Sequence, residues 1–484
     1  MNQKKTSRST LSREANRFAS AFFSPVIALA ISGCSPSPLA ERSSTRVSPS
    51  HFLSAADHTE AQTDDAGPDR LFADADSLAP NVLVDAVLKR NPTIEAARQA
   101  WEAARRRITQ ATSLEDPMLS YGLAPGTLGN NQIDDGHRIE LSQRFPWPGK
   151  LRLRGEIAQR QAESASHDIE TVRQGLIVET INAFYDYYYV HHAIDINDVN
   201  LELLREFQKI AETKYAAGTA SKQDPLQAEV ERYHLEHRAI VLERMRRVAQ
   251  ARINTLLHRP PELDLPPPLA QAAEPGARPE LGALRERAVN ERPELQALAR
   301  RLEAKRAARE LAAKEYLPDF TVMGTYNSMW DSEEHRWMIG AGINIPIQID
   351  RRRSAELEAL AQFNRLAAEL VAGVDEVSLR VSETFDMLVE SEQVVRLYRN
   401  KFMPVADENL KAARSGYESG ANDFLTLLTA EKNLMLVQLA RQQAITEYHQ
   451  RWADLERAVG GDIPFQMLDD ESQENPRIGD TDNE

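Results

Sequence analysis

Apolar positions along this chain recur with two different periods, and the switches between them mark out its elements. From Val82 to Ser113, and again from Leu284 to Tyr316, the spacing predicts a helix of about thirty residues. Each is followed by two segments of period two. Leu119, Tyr121 and Leu123 share one face, as do Ile139, Leu141 and Phe145, with Arg138, Glu140, Ser142 and Arg144 opposite. In the second set, Phe320, Val322 and Tyr326 alternate with Thr321, Thr325 and Asn327, and Trp337, Ile339, Ala341, Ile343 and Ile345 line one side. Such alternation predicts four strands, each apolar on one side and polar on the other. Polar connectors, Gly126 to Gly136 and Ser328 to His335, join the members of each pair.

A very long helix is predicted after each strand pair. No proline falls between Pro148 and Pro225, and a helix from Leu151 to Tyr215 would measure about 100 Å. Its counterpart runs from Arg351 to Tyr417, with a kink expected at Pro404. Glycine is the usual helix stop, so turns are expected at Ala217-Gly218-Thr219 and at Ser419-Gly420-Ala421. Return helices follow. In one, Leu226, Val230, Tyr233, Val241, Met245 and Val248 keep a three-and-four spacing; in the other, Ile445, Tyr448, Trp452, Leu455 and Val459 do. Each set is expected to bury a narrow seam against a neighbouring helix.

The order of elements occurs twice. Asn91-Pro92 matches Arg292-Pro293, Asp116-Pro117 matches Pro318-Asp319, Pro146 matches Pro346, and Tyr215-Ala216-Ala217-Gly218 matches Tyr417-Glu418-Ser419-Gly420. Several matches in one order, at one near-constant offset, indicate an internal repeat. The expected organisation is a signal peptide at 1–33, a tether at 34–79, a first repeat at 80–270 with its strand pair at 117–146, a second repeat at 271–465 with its strand pair at 318–346, and an acidic tail at 466–484.

Composition sharpens this picture. Glycine is sparse and charged residues make up 27% of the chain, which favours long polar helices over a compact α/β enzyme. A net charge of −15 argues against a nucleic-acid partner. The single cysteine, Cys34, excludes an internal disulfide and a cysteine-built metal cage. It follows a basic start (Lys4, Lys5, Arg8, Arg13, Arg17), an apolar stretch from Phe18 to Ile31, and Ser32-Gly33. That is the layout of a secretory signal, and its end resembles a bacterial lipobox, so lipidation of Cys34 is expected. The Ser-, Pro- and Ala-rich run that follows reads as a tether, and no later run approaches a membrane-spanning helix.

Amphipathic strands in an exported, lipid-anchored chain point to an outer-membrane barrel. Single-chain barrels begin at about eight strands, and an open sheet edge in lipid leaves backbone groups unsatisfied. The four strands must therefore be completed by other chains, and three copies supply twelve. The alternative is a lipidated coiled-coil spacer or scaffold with no pore, which does not explain two hairpins with uncovered apolar faces.

These features together resemble the TolC-like outer-membrane efflux channel family. The resemblance runs from about Pro80 to Pro464, and its strongest local matches are Leu141-Ser142-Gln143-Arg144-Phe145-Pro146-Trp147-Pro148-Gly149-Lys150 and the two Tyr-x-x-Gly turns. It implies a mainly helical fold with a membrane β-barrel: a homotrimer whose twelve strands close in the outer membrane above a periplasmic α-barrel. It further implies docking, through a periplasmic adaptor, on an inner-membrane pump of the resistance-nodulation-division type. The Phe-Pro-Trp-Pro-Gly-Lys run is most similar to members of heavy-metal efflux systems. Carried over by motif, the adaptor-contacting tips are Gly218, Thr219, Ala220 and Ser221, with Gly420, Ala421 and Asn422. Asp224 and Asp423 are candidates for a periplasmic gate, since rings of carboxylates select cations at a constriction. The competing role is helix capping. The family pattern places an aspartate six residues past the second glycine, where this chain has Thr426.

No constellation supports catalysis or a cofactor. His191-His192, and the pair His234 and His237, lack a third metal ligand and are expected on exposed helix faces. Tyr185, Tyr187, Tyr188 and Tyr189 are expected to pack between helices.

Overall fold

The computed structural model describes residues 75–127 and 136–463, apart from 274, 277, 331 and 332, together with Phe72. The expected signal peptide, Cys34, most of the tether and the acidic tail lie outside the described residues.

Prolines set the first breaks. Where one helix of about thirty residues was expected there are two: α1 (Pro80–Arg90) and α2 (Pro92–Thr112). The residue before a proline is pushed out of the helical region, and Asn91 is extended (φ −69°, ψ 123°). Its side chain accepts from the Thr93 N–H at 3.0 Å and donates to the Leu256 carbonyl at 3.0 Å, pinning the break to the end of a distant helix. The second repeat breaks the same way at Arg292, between α5 (Leu281–Glu291) and α6 (Pro293–Lys314).

The long helices follow. α3 (Lys150–Ala216) spans 67 residues, about 100 Å, and α4 (Gln223–Leu256) returns beside it. In the second repeat α7 (Ile349–Leu397) passes through a single π turn, Tyr398–Phe402, into α8 (Met403–Ser419), and α9 (Phe424–Val459) returns. The break thus precedes Pro404 rather than falling on it. Proline has no N–H to offer the carbonyl four residues back, and the ladder shifts so that the Met403 N–H donates to Tyr398.

Two equivalent cores hold the repeats together. Leu83 and Val87 of α1 pack with Phe184 and Tyr187 of α3 and Ile253 of α4. Leu284 and Ala288 of α5 pack with Val381 and Leu388 of α7 and with Tyr448, Leu455 and Val459 of α9. The last residues of the expected tether belong to this body, because Leu78 is buried and bridges to the segment at Pro268.

On α4 the expected seam is reversed. Leu226, Val230, Tyr233, Val241 and Val248 are exposed, while Ala228, Leu235, Leu242 and Ala249, seven residues apart, are buried. Alanine and leucine at heptad spacing let the neighbouring long helix approach closely, and the bulkier stripe faces away from the chain's own core.

The strands β1 (Met118–Ala124), β2 (Gly136–Phe145), β3 (Phe320–Asn327) and β4 (Trp337–Ile343) form one antiparallel sheet in the order β1-β2-β3-β4. Ile345 lies beyond the end of β4.

Candidate functional site

The register decides what the sheet presents. Tyr121 lies opposite Ile139, Ile139 opposite Tyr326, and Tyr326 opposite Trp337. One row on, Leu119, Leu141, Gly324 and Ile339 are aligned. Because strand faces alternate with period two, the four apolar sides merge into one face, completed by Phe145, Phe320, Val322 and Ile343. The protein does not cover it: Ile339 is 92% exposed, Trp337 73% and Leu119 70%. The opposite face carries Arg138, Glu140, Ser142, Thr321 and Thr325. Within the described residues β1 pairs only with β2 and β4 only with β3, so both outer edges keep unpaired backbone groups.

Where β2 becomes α3, the Phe-Pro-Trp-Pro-Gly-Lys run makes a charged joint. Gly149 adopts φ +92°, in the left-handed region that favours glycine. The turn delivers Lys150 into the interior, 1% exposed, where its Nζ donates to Asp319 at 2.9 Å and to the Leu317 carbonyl at 3.1 Å. Asp319 also accepts from Arg144 at 2.7 Å and from the Trp147 N–H at 3.0 Å. Trp147 stacks on Phe320, ring centroids 5.4 Å apart. The sheet is thereby tied to the helices by the start of β3 and the end of β2 together.

At the far end of the helices lie the two turns. Gly218 and Gly420 have φ of +74° and +81°, with open space where a Cβ would stand. Thr219, Ala220 and Ser221 lie between α3 and α4; Ala421 and Asn422 lie between α8 and α9 and bond back to the Gly416 carbonyl at 2.8 and 3.0 Å. The two expected carboxylates are each engaged. Asp423 caps α9, accepting from the Thr426 N–H at 2.9 Å and its hydroxyl at 2.5 Å. These bonds hold its carboxyl below the usual range. Asp224, in the first turn of α4, accepts from the Tyr417 hydroxyl at 3.3 Å, and so links the two turns.

Sequence reasoning missed this link. The turn motif contains a tyrosine in each repeat, but Tyr215 is exposed whereas Tyr417, on α8, is buried among residues of α3, α4 and α9. Burial, with Asp224 alongside, pushes the Tyr417 hydroxyl up to about 12. Lys214 stands over the Tyr417 ring at 4.5 Å and donates to the carbonyls of Tyr417 and Glu418. Arg414 reaches Glu206 at 2.5 Å, a second bridge from α8 to α3.

The histidines depart from expectation in part. His234 and His237 are exposed. His191 and His192 are half-buried against Tyr187 and Tyr188, at ring-centroid distances of 4.4 and 4.2 Å, and burial lowers both below the usual histidine range. Among the described residues no group of three or more His, Cys, Asp or Glu side chains is arranged to hold a metal ion. Tyr185, Tyr187 and Tyr188 are buried between helices.

A mainly helical body with one amphipathic four-stranded sheet defines a class, and comparison with known proteins identifies it. The model of the outer membrane efflux protein family matches residues 83–258 and 284–461, one match per repeat, and the chain belongs to that family. It is an efflux channel protein of the outer membrane. Among similar proteins, the outer membrane protein OprJ of Pseudomonas aeruginosa is 24% identical over 478 residues, covering 90% of this chain and 94% of the relative. The cobalt-zinc-cadmium resistance protein CzcC of Cupriavidus metallidurans is 22% identical, covering 76% and 87%. Two solved structures share the fold: the outer-membrane channel OprN (TM-score 0.67, 22% identity, 81% of this chain and 92% of that one) and CusC (TM-score 0.68, 15% identity, 83% and 96%).

Proposed function

We propose that three copies of this chain form the outer-membrane channel of a tripartite efflux pump. In this reading twelve strands close a barrel, and the long helices continue it as a periplasmic tunnel. The turns at Gly218–Ser221 and Gly420–Asn422 meet a periplasmic adaptor that couples the channel to an inner-membrane pump of the resistance-nodulation-division type. Conduction is passive, and a lipid on Cys34 adds a second attachment to the outer membrane. The observation that carries the proposal is the continuous, uncovered apolar face of the sheet, bounded by two unpaired edges. Lipid satisfies the face, and only neighbouring strands satisfy the edges. The apolar stripe on α4 also fits this reading, since it supplies a helical surface for an adjacent copy. Tyr417 and Asp224 would then act as a latch between the two hairpins at the closed end.

Native mass measurement in mild detergent, followed by planar-bilayer recording of the same sample, tests the reading. Three copies and an ion-conducting pore are expected. A stable, non-conducting monomer would favour the pore-free spacer and sink the proposal.

A further inference from the structure

Beneath the tip turns, one ionisable side chain is buried where no partner reaches it. Glu431 of α9 is 4% exposed. It lies among Leu427, Leu428, Ala430, Leu434 and Met435, and its shielded Oε1 has no hydrogen-bond partner. In the same cluster α3 contributes Leu204, Phe207 and Ala211, α8 contributes Ala413, and α4, across the groove, contributes Ala228 and Leu235 and a second carboxylate, Glu231.

Two cations, Lys432 and Arg238, act on Glu431 through space, but neither bonds to it. Arg238 of α4 turns its Nη1 to the Met435 sulfur at 3.5 Å. Lys432, next to Glu431 on α9, is exposed. On α3 and α8, Glu206 and Arg414 are paired, and Arg414 also holds Glu418 at 3.0 Å. Lys214 of α3 donates to backbone carbonyls, and Asp224 accepts from Tyr417. Burial, reinforced by Glu231 and only partly offset by Lys432 and Arg238, pushes the Glu431 carboxyl up to about 7. An ionised carboxylate in such a cluster is unstable unless water reaches it. Water stands close by: an open groove of about 400 Å³ between α4 and α9 is lined by Val230, Glu231 and Thr429, and by Leu428 and Lys432, which flank the buried Glu431 on α9.

We propose that Glu431 is a proton-operated switch in the tip: neutral, it lets α4 and α9 close around it; ionised, it draws water between them and lets the two hairpins move apart. The inference rests on the channel reading for its consequence, which is a tip held tighter at acidic than at alkaline pH. Glu231 tunes the switch, since removing its charge eases ionisation of Glu431.

Spin labels at Val230 and Thr429, both lining the groove, report the α4–α9 separation in the full-length protein in detergent. The separation is expected to widen as pH rises from about 5.5 to 8.5, with a midpoint near neutrality. With Glu431→Gln it should stay at the short, acidic-pH value throughout. With Glu231→Gln the midpoint should move to lower pH. A separation that does not change with pH, or a widening that persists in Glu431→Gln, overturns the switch. These distances need no pore, so they stand or fall apart from the channel reading. If the distances move as expected and bilayers show no conductance at any pH, the channel reading fails and the switch survives.

Discussion

At the scale of single residues, the charged joint at Lys150 shows how a membrane strand is coupled to a helix. Three polar groups converge on Asp319, and two of them, Lys150 and the Trp147 N–H, come from a six-residue run rich in proline and glycine. Breaking a buried pair by removing one partner costs roughly 3–5 kcal/mol. Arg144 still holds the other Asp319 oxygen, so Lys150→Met is expected at the lower end of that range. The assembled protein should dissociate at a lower temperature on a heating series read by native electrophoresis. An unchanged dissociation temperature would mean that Arg144 alone secures the joint.

At the scale of elements, the tip turns combine strained backbone with free space. A β-branched residue at Gly420 meets no clash but must adopt a left-handed backbone, at about 1–2 kcal/mol. That cost is small beside the helix packing of the body. Gly420→Val should therefore leave heat-stable oligomers in the outer membrane while export falls. Cysteine crosslinks from Thr219 or Ala421 to the adaptor should form in cells carrying the whole pump. Normal export in the Gly218→Val, Gly420→Val double variant, or crosslinks from the 126–136 loop instead, would place the adaptor at the wrong end. The π turn before Pro404 belongs to this scale too, because one missing N–H shifts the ladder of a helix that otherwise runs unbroken from the sheet.

For the whole molecule, the repeat is the organising fact. Each half builds its own core from equivalent helices, α1, α3 and α4 or α5, α7 and α9, and the two meet in the sheet, at the tips and along α3, where α6 and α9 pack and Arg301 pairs with Asp168 and Arg160 with Glu303. A sheet of four strands with an uncovered apolar face is a fragment of a barrel, so the folded chain is only part of the working unit. Membrane attachment is then expected from two sources, the closed barrel and a lipid on Cys34. Cys34→Ala should abolish metabolic labelling with a fatty acid yet leave the protein in the outer-membrane fraction, since acyl chains add to an anchoring the barrel already supplies. Labelling that persists in the variant would refute lipidation at that cysteine.

Much of this was written in local sequence. Period-two alternation placed all four strands, and glycine placed both turns, because each is a property of a few adjacent residues. The breaks at Asn91 and Arg292 were passed over in favour of one unbroken helix in each repeat, although Pro92 and Pro293 restrict the residue before them. Three things required the tertiary structure. The stripe on α4 read as a buried seam, yet Ala228 and Leu242 are buried and Val230 and Val248 are not. Hydrophobic spacing names a face without naming its partner. Tyr215 and Tyr417 hold matching positions in the repeat, and only packing of α8 against α3 and α9 buries the second, while Asp224 of α4 bonds to its hydroxyl. The isolation of Glu431 was invisible for the same reason: a glutamate in a helical repeat looks solvated until neighbouring helices pack around it. Local periodicity determines which elements form; which side chains lose water depends on contacts between residues far apart in the chain.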